Sequence, residues 1–319
     1  MGKRQPPRQL RLNVYRSRGG ATVPPGELLV EYFSDRDLIA WRSRGKHIQD
    51  YHYLWYFELE SQRASAQTEI LEALNRVAGI SIDLAGWGRG MAYRYSATPL
   101  SCVGSLKWVG GRFNYGVDID KTRFAPFPAL YLAEDMETGL REMQGLTRET
   151  TRAGLSANEL NLCSERGVAW VALSGKVSNI FDLTHPGSLA GLVRVLSKFR
   201  LSKRVRDVEK KLGAHPLKLV TSAHELFDTV MTESWREFPT LVNTPSNSQL
   251  LGHLLTLAGF EGVVYASTRT GKKNLALFTR QFKNSTSIVR AVSPPATATQ
   301  CELSASTFRN LEHLPRSRA

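Results

Sequence analysis

Cysteine is scarce in this chain of 319 residues, which contains only Cys102, Cys163 and Cys301. Their odd number and wide spacing exclude a disulfide framework and a zinc ribbon, so we expect reduced thiols. Apolar runs are also short, and none approaches the length of about 18 residues that a membrane span needs. Residues 1–12 are basic and lack the apolar stretch of a secretory signal. These absences predict a cytoplasmic protein with no membrane segment.

Several catalytic motifs are missing as well. The sequence has no Walker A loop, no HExxH, no CxxC and no nucleophile elbow, which removes most support for metal-dependent hydrolysis and for serine acyl transfer. The histidines are scattered, and the only close pair, His47 and His52, has no third ligand at helical spacing. We therefore expect no metal site.

Positive charge is in excess. The chain has 42 Lys and Arg against 29 Asp and Glu, a formal net charge of +13, and such a field favours anionic partners such as nucleotides, nucleic acid or acidic proteins. The excess is concentrated in residues 1–20 and in residues 194–218, where nine bases stand against Asp207 and Glu209. We interpret both runs as solvated surface, and a nucleic-acid or acidic-partner surface is the less favoured alternative.

Composition and turn formers divide the chain into parts. The apolar fraction of 42% and the charged fraction of 22% are those of a globular protein. We expect a flexible basic arm at 1–26, an accessory region at 27–89, the main domain at 90–282 and a loose tail at 283–319. Residues 86–90, which are rich in glycine, are interpreted as a flexible linker.

Secondary structure follows from the spacing of apolar residues. Short β-branched or aromatic runs between turn formers predict strands, and apolar residues at helical spacing predict helices. The predicted strands are 92–96, 130–133, 168–173, 180–183, 262–267 and 274–279. The predicted helices are 65–78, 135–146, 188–199 and 246–258. The last two strands should form a hairpin, and Ser267 at the end of the first could cap its turn.

The loop that follows Lys107 concentrates residues suited to binding. Gly110 and Gly111 allow the backbone to approach a ligand closely, and Arg112 beside them is a fixed planar cation. Asn114 adds a hydrogen-bond donor. This loop therefore suits an anionic ligand.

A predicted helix follows, which Asp135 can cap. Met136, Leu140 and Met143 should form its buried stripe. Glu142 lies on the shoulder of that stripe, where a carboxylate can be partly desolvated and directed into a cleft. The spacing alone also fits an ordinary surface glutamate.

Taken together, these motifs resemble the RES domain, a family named after a signature Arg, Glu and Ser. The resemblance extends over about residues 90–282 and assigns the signature to Arg112, with Arg94 as a companion, Glu142 and Ser267. The motifs occur in the order of the family: Arg94-Tyr95, Gly111-Arg112-Phe113-Asn114 with Gly116, residues 129–134, residues 137–142, Phe181-Asp182-Leu183-Thr184, and residues 259–278.

The resemblance implies both a fold and an activity. The fold would be α+β, with a split β-core similar to that of ADP-ribosyltransferases, flanking helices and an added N-terminal accessory region. RES proteins are typically toxins, usually paired with an inhibitory antitoxin protein, and they deplete NAD by hydrolysis or phosphorolysis. The resemblance thus implies NAD as the substrate and no metal.

The residue types fit that chemistry. Cleavage of the nicotinamide–ribose bond builds positive charge on the ribose, and a preorganised carboxylate such as Glu142 stabilises it. Arg112 and Arg94 would hold the pyrophosphate, because guanidinium groups make bidentate contacts. Tyr131 would stack on nicotinamide or bond a phosphate, and Ser267 would position Glu142 or the ribose. The expected catalytic residues are Glu142, Arg112 and Ser267, and the expected NAD-binding residues are Arg94, Tyr95, Arg112, Tyr131 and Asn274.

Two alternatives stay open. The same site could transfer ADP-ribose to a protein or nucleotide. In that case the extra N-terminal region or the basic segment 194–218 would recognise the target. A non-catalytic nucleic-acid-binding protein is less favoured, since Phe199 is the only aromatic residue among those bases. The sequence leaves a homo-oligomer open. The chain also departs from the family pattern at Gly139, where the family's helix has alanine.

Overall fold

The computed structural model describes residues 35–146 and 167–313. The predicted basic arm at 1–26, the start of the accessory region, Cys163 and residues 314–319 of the predicted tail lie outside the described residues. No helix in the described ranges is long and apolar enough to cross a membrane.

The described residues form an α+β structure. Its α-helices are α1 (Asp35–Ser65), α2 (Gln67–Asn75), α3 (Met136–Gln144), α4 (Ala190–Leu196), α5 (Lys203–Leu212), α6 (Ala223–Met231), α7 (Glu237–Val242) and α8 (Asn247–Leu257). Its strands are β1 (Ile80–Asp83), β2 (Gly88–Ala92), β3 (Leu130–Ala133), β4 (Val168–Leu183), β5 (Gly262–Ala266), β6 (Lys273–Leu277), β7 (Ile288–Ala291) and β8 (Glu302–Leu303). The predicted mixture of strands and flanking helices is confirmed.

All of these strands join one central sheet, in the order β2-β3-β6-β5-β4-β7-β8 with β1 paired to β4. Neighbouring strands are antiparallel except β4 and β5, which are parallel. Strands β5 and β6 form the predicted hairpin, with Tyr265 opposite Asn274. This hairpin ends at the loop that carries Ser267.

Strand β4 is the longest and organises the sheet. Its first half pairs with β2, its middle with β1 and β7, and its end with β5. The sequence predicted two separate strands here, because turn formers interrupt the apolar pattern. Gly175, with φ of 118°, and Asn179, with φ of 49°, occur within the strand and change its direction without ending it.

Apolar side chains cover both faces of the sheet. On one face, Phe181, Val263 and Ala276 pack against the helices, including Leu251 of α8. On the opposite face, the alternate strand residues, such as Val264, join a second cluster with the C-terminal 3₁₀ turns. Because successive strand residues point to opposite faces, the central strands β3, β4, β5 and β6 contribute to both cores.

Strand β2 corrects two predictions. The glycine-rich residues 86–90 are not a flexible linker, because Gly88 and Gly90 belong to the strand. The strand predicted at 92–96 ends at Ala92 and is followed by a 3₁₀ turn at Tyr93–Tyr95. The reason is close packing: a Cβ at Gly88 would lie 2.2 Å from the Trp170 ring. Propensity rules miss this strand, since glycine is normally depleted in strands.

The C-terminal segment also differs from expectation. Strand β7 pairs with β4 and β8 pairs with β7, so Ile288–Ala291 and Glu302–Leu303 belong to the sheet and this segment is not a loose tail. Val289, Leu303 and Leu311 are fully buried. A few apolar side chains facing the sheet outweigh the composition and turn formers on which the prediction rested.

Helix α3 begins as predicted but is rotated. Asp135 caps it by accepting a hydrogen bond from the Thr138 N–H. Leu140 is buried, whereas Met136 and Met143 are 51% and 37% exposed, so the predicted buried stripe is wrong for these methionines. The helix packs through its middle against β2, and this contact sets the buried face.

The helices before the sheet pack directly on the rest of the protein. Helix α2 lies within the predicted helix 65–78, and its Ile70 and Leu74 are fully buried. Near the middle of α1, His52 is 7% exposed. Its ring lies 4.7 Å from that of Trp55 and 5.3 Å from that of Phe238. The Nε2 atom is 3.1 Å from the Thr244 hydroxyl.

We predict that His52 makes the stability of the protein depend on pH. Burial lowers the pKa of His52 to about 4, so the unfolded chain binds one more proton than the folded protein between about pH 6.5 and pH 4. The free energy of unfolding should therefore be fully retained above this window, fall by up to about 1.4 kcal/mol for each pH unit within it, and not fall further on this account below it.

Denaturant unfolding at several pH values measures this slope. His52→Gln should reduce it, because the amide does not titrate. The matched control is His47→Gln, since His47 is exposed on the same helix. An unchanged slope in His52→Gln would contradict the prediction.

Candidate active site beside helix α3

A cavity of about 310 Å³ opens between helix α3, the β5–β6 hairpin and the turn after helix α6. Four of the residues predicted from the sequence line it, and they are Arg112, Tyr131, Glu142 and Asn274. A larger groove of about 690 Å³ lies between α1 and α5, but none of the predicted site residues lines that groove. The smaller cavity is therefore the candidate site.

The Glu142 carboxylate is held on one oxygen. The Ser267 hydroxyl donates to Glu142 Oε1 at 2.5 Å, and the Asn274 amide donates to the same atom at 2.9 Å. No hydrogen bond to Oε2 is seen among the described residues. The carboxylate is thus fixed in orientation while one oxygen stays available to a ligand.

Two buried residues make this arrangement rigid. Ser267 and Asn274 are each 3% exposed. The Ser267 hydroxyl also accepts hydrogen bonds from the backbone N–H groups of Arg269 and Thr270, at 3.1 and 3.3 Å. Ser267 therefore caps its turn, as the sequence allowed, and also positions Glu142.

Close packing sets the position of helix α3. A Cβ at Gly139 would lie 2.4 Å from Cζ3 of the Trp170 ring, and a Cβ at Gly90 would lie 2.8 Å from the Gly139 carbonyl oxygen. The helix can approach β2 and β4 this closely only with glycine at 139. The Trp170 side chain therefore accounts for glycine at position 139.

Buried amides hold the loop that carries Arg112. Asn114 is fully buried, and its amide nitrogen donates to the carbonyl oxygens of Ser105 at 2.8 Å and Phe127 at 2.9 Å. Gln249 of helix α8 donates to the carbonyl oxygens of Val109 at 2.7 Å and Gly111 at 3.0 Å. These side-chain hydrogen bonds take the place of the backbone hydrogen bonds that a strand would make. They make the loop a fixed part of the site.

Tyr131 connects this loop to the sheet. Its hydroxyl donates to Asn114 Oδ1 at 2.8 Å and accepts from the Phe113 N–H at 2.9 Å. Burial raises the pKa of Tyr131 above its usual range. A Cβ at Gly111 would lie 2.3 Å from the Tyr131 hydroxyl, so glycine is required there. The hydroxyl is occupied by the loop, which leaves the ring as the part of Tyr131 that can meet a ligand.

Arg112 is half-buried at the cavity wall. Its Nη1 donates to the carbonyl oxygen of Thr232 at 2.8 Å. Burial is the main cause that lowers the pKa of Arg112, and the nearby Glu142 carboxylate acts in the opposite direction. A guanidinium remains protonated in proteins, so Arg112 presents a positive charge close to Glu142.

The structure does not bring Arg94 and Tyr95 to this cavity. Arg94 is exposed, and its guanidinium carbon lies 5.0 Å from the centre of the Tyr95 ring. The Tyr95 hydroxyl accepts a hydrogen bond from Lys107 at 3.2 Å. Both residues lie on the 3₁₀ turn after β2, and neither lines the cavity.

Other lining residues were not predicted from the sequence. They include Tyr265, Trp235, Arg236 and Arg269. Tyr265 was interpreted only as a strand residue, and its ring lies 4.8 Å from that of Phe113. Trp235 and Arg236 lie in a turn remote from every motif in the sequence. The only sequence feature that could have pointed to them is an aromatic residue next to a cationic one.

Among the described residues, neither a metal-binding cluster nor the basic segment 194–218 belongs to the candidate site. Within residues 35–146 and 167–313, no group of three or more His, Cys, Asp or Glu side chains could hold a metal ion. The basic segment 194–218 lies outside the cavity lining. Part of its charge is engaged: Lys198 pairs with Glu69 at 2.6 Å and Arg206 with Glu209 at 2.9 Å.

Comparison with known proteins gives two positive findings. The family model described as the RES domain matches residues 89–298. Among solved structures, the chain is similar to one described as "Crystal structure of the M.tuberculosis MbcT-MbcA toxin-antitoxin complex", with 14% sequence identity and a TM-score of 0.39. That similarity covers 76% of this chain and 97% of the other. No match was found among proteins of curated function.

We predict that Gly139 and Trp170 are energetically coupled. Gly139→Ala should lower the free energy of unfolding by about 1–3 kcal/mol, because the added methyl group overpacks the contact with the indole ring. In a Trp170→Leu background the same substitution should be neutral or stabilising, by up to about 1 kcal/mol, because alanine favours the helix.

Denaturant unfolding of the two single variants and the double variant gives the coupling energy. An equal effect of Gly139→Ala in both backgrounds would show that Trp170 does not restrict this position.

Proposed function

The chain belongs to the RES domain family, and from this membership and the cavity we propose that it cleaves the nicotinamide–ribose bond of NAD. The acceptor of the ADP-ribosyl group is water or phosphate. The observation that carries the proposal is the Glu142 carboxylate, which Ser267 and Asn274 fix on one oxygen within a cavity that also contains Arg112.

The chemistry needs what this carboxylate supplies. When the bond breaks, nicotinamide leaves with the electron pair as a neutral molecule, and the ribose carbon becomes positively charged. A carboxylate in a fixed position offsets that charge in the transition state, without the reorganisation that water would require. Water then adds to the carbon and releases a proton, whereas phosphate adds directly. Because nicotinamide leaves as a neutral molecule, no general acid is needed to protonate it. The chemistry therefore requires only the Glu142 carboxylate that Ser267 holds.

The remaining groups suit the rest of the NAD molecule. Arg112 is a cation close to Glu142 and would bind the pyrophosphate. The ring of Tyr131 would pack against the nicotinamide or its ribose. Arg94 and Tyr95 lie outside the cavity lining, so they would act only on a part of the ligand that extends beyond it.

Family membership supports a biological role. RES proteins are typically toxins that deplete NAD and are restrained by an inhibitory protein. We infer the same role for this chain, with an antitoxin protein as its partner. Transfer of ADP-ribose to a protein or nucleotide would use the same site, and analysis of the reaction products separates it from hydrolysis and phosphorolysis.

We predict that the purified protein releases nicotinamide from NAD and that Glu142→Gln reduces this rate by at least about 100-fold, since loss of one preorganised electrostatic contact typically has this effect. The Gln oxygen can still accept the hydrogen bonds from Ser267 and Asn274, so the fold should be retained. Nicotinamide release, measured with and without phosphate, and a thermal unfolding curve test both parts.

The control is Glu72→Gln, which removes a glutamate that is 61% exposed on helix α2. It should leave the rate unchanged. Wild-type turnover in a folded Glu142→Gln variant would exclude Glu142 from the reaction.

A further inference from the structure

The turn between helices α6 and α7 forms one wall of the cavity and contains an unusual stack. The Trp235 ring is 8% exposed. The guanidinium carbon of Arg112 lies 5.7 Å from its centre, and that of Arg236 lies 4.9 Å from it. All three residues line the cavity. An indole ring is the strongest aromatic partner for cations, so it can hold two guanidinium groups in place.

The two arginines differ in how they are engaged. Arg112 donates through Nη1 to the Thr232 carbonyl, which anchors the turn. Arg236 is exposed and has neither an ion pair nor a hydrogen bond to any residue in 35–146 or 167–313. An arginine normally directs its donors at acceptors in pairs. The Arg236 donors are therefore available to a ligand.

Two like charges against one ring repel each other. Arg236 contributes to the lowered pKa of Arg112, although burial is the larger cause. Glu142 and Glu233 also line the cavity and offset part of the charge, while Arg269 adds another cation. An anion with two adjacent negative groups would relieve the repulsion and accept hydrogen bonds from both guanidinium groups. A diphosphate is such an anion.

We propose that Arg112, Trp235 and Arg236 form a binding wall for a diphosphate group, in which Arg236 is the second cation and Trp235 holds both arginines in register. The proposal rests on the proposed function, since NAD carries a diphosphate. Arg236 is a binding residue and not a catalytic one, because it contacts the part of the ligand that does not react.

Titration calorimetry with ADP and AMP tests the wall directly, since these probes differ by one phosphate. For the wild-type chain we expect tighter binding of ADP than of AMP. Arg236→Gln should weaken ADP binding by about tenfold or more, the usual effect of losing a hydrogen bond to a charged group, and weaken AMP binding much less. Arg236→Lys should recover part of the loss. Equal losses for both probes, or none, would overturn the proposal.

The matched control is Arg309→Gln. The guanidinium carbon of Arg309 lies 5.6 Å from the Phe308 ring centre, but the pair is outside the cavity lining. This variant should bind ADP like the wild type, and a loss equal to that of Arg236→Gln would point to a general charge effect.

Steady-state kinetics with NAD separate this proposal from the proposed function. Arg236→Gln should raise KM for NAD about tenfold and leave kcat nearly unchanged, because it removes binding shared by ground and transition states. If the Arg236→Gln variant is active and its KM for NAD is unchanged, the binding wall is refuted and the proposed function is not. If the wild type cleaves no NAD but its ADP binding depends on Arg236, the proposed function fails and the wall stands.

Discussion

The hydrogen bonds that Ser267 and Asn274 donate to a single oxygen of Glu142 tie together parts of the chain that are far apart in sequence. Helix α3 supplies the carboxylate, and the β5–β6 hairpin supplies the donors, Ser267 from its connecting loop and Asn274 from strand β6. Because the hairpin fixes the donors against each other, the carboxylate has one orientation in the cleft. The packing of Gly139 against Trp170 then matters for function, since it determines how near α3 comes to the hairpin.

The opposite side of the cleft is the loop that carries Arg112. Side-chain amides hold this loop in place of the backbone hydrogen bonds of a strand. Gln249 satisfies carbonyl groups of the Arg112 loop, and Asn114 of that loop donates to the carbonyls of Ser105 and Phe127. The Tyr131 hydroxyl accepts a hydrogen bond from the Phe113 N–H. An unsatisfied buried polar group is costly, so removal of one of these side chains would free the loop as well as break a bond. The site is therefore preorganised on both sides, a carboxylate on one and a cation on the other.

The sequence predicts those parts of this structure that depend on local pattern. Strand β3, the β5–β6 hairpin and helix α8 have the expected apolar spacing. The motif order points to Arg112, Glu142 and Ser267, of which the first two line the cavity and the third donates to Glu142. What it misses depends on contacts between distant segments. Strand β2 is glycine-rich because Trp170 and Gly139 lie against it, and Arg236 reaches the cavity only through the fold. No local rule carries that information.

The double engagement of Arg112 explains why arginine is suited to this position. Its guanidinium donates to the Thr232 carbonyl through Nη1, packs against the Trp235 ring, and lines the cavity. A lysine ammonium is a compact point charge without a flat face, so it could anchor the turn or bind an anion but could not also stack on the ring. The planar cation thus links the loop of the signature motif to the turn after helix α6. Because of this link, the geometry of the cleft depends on residues outside the motifs that identify the family.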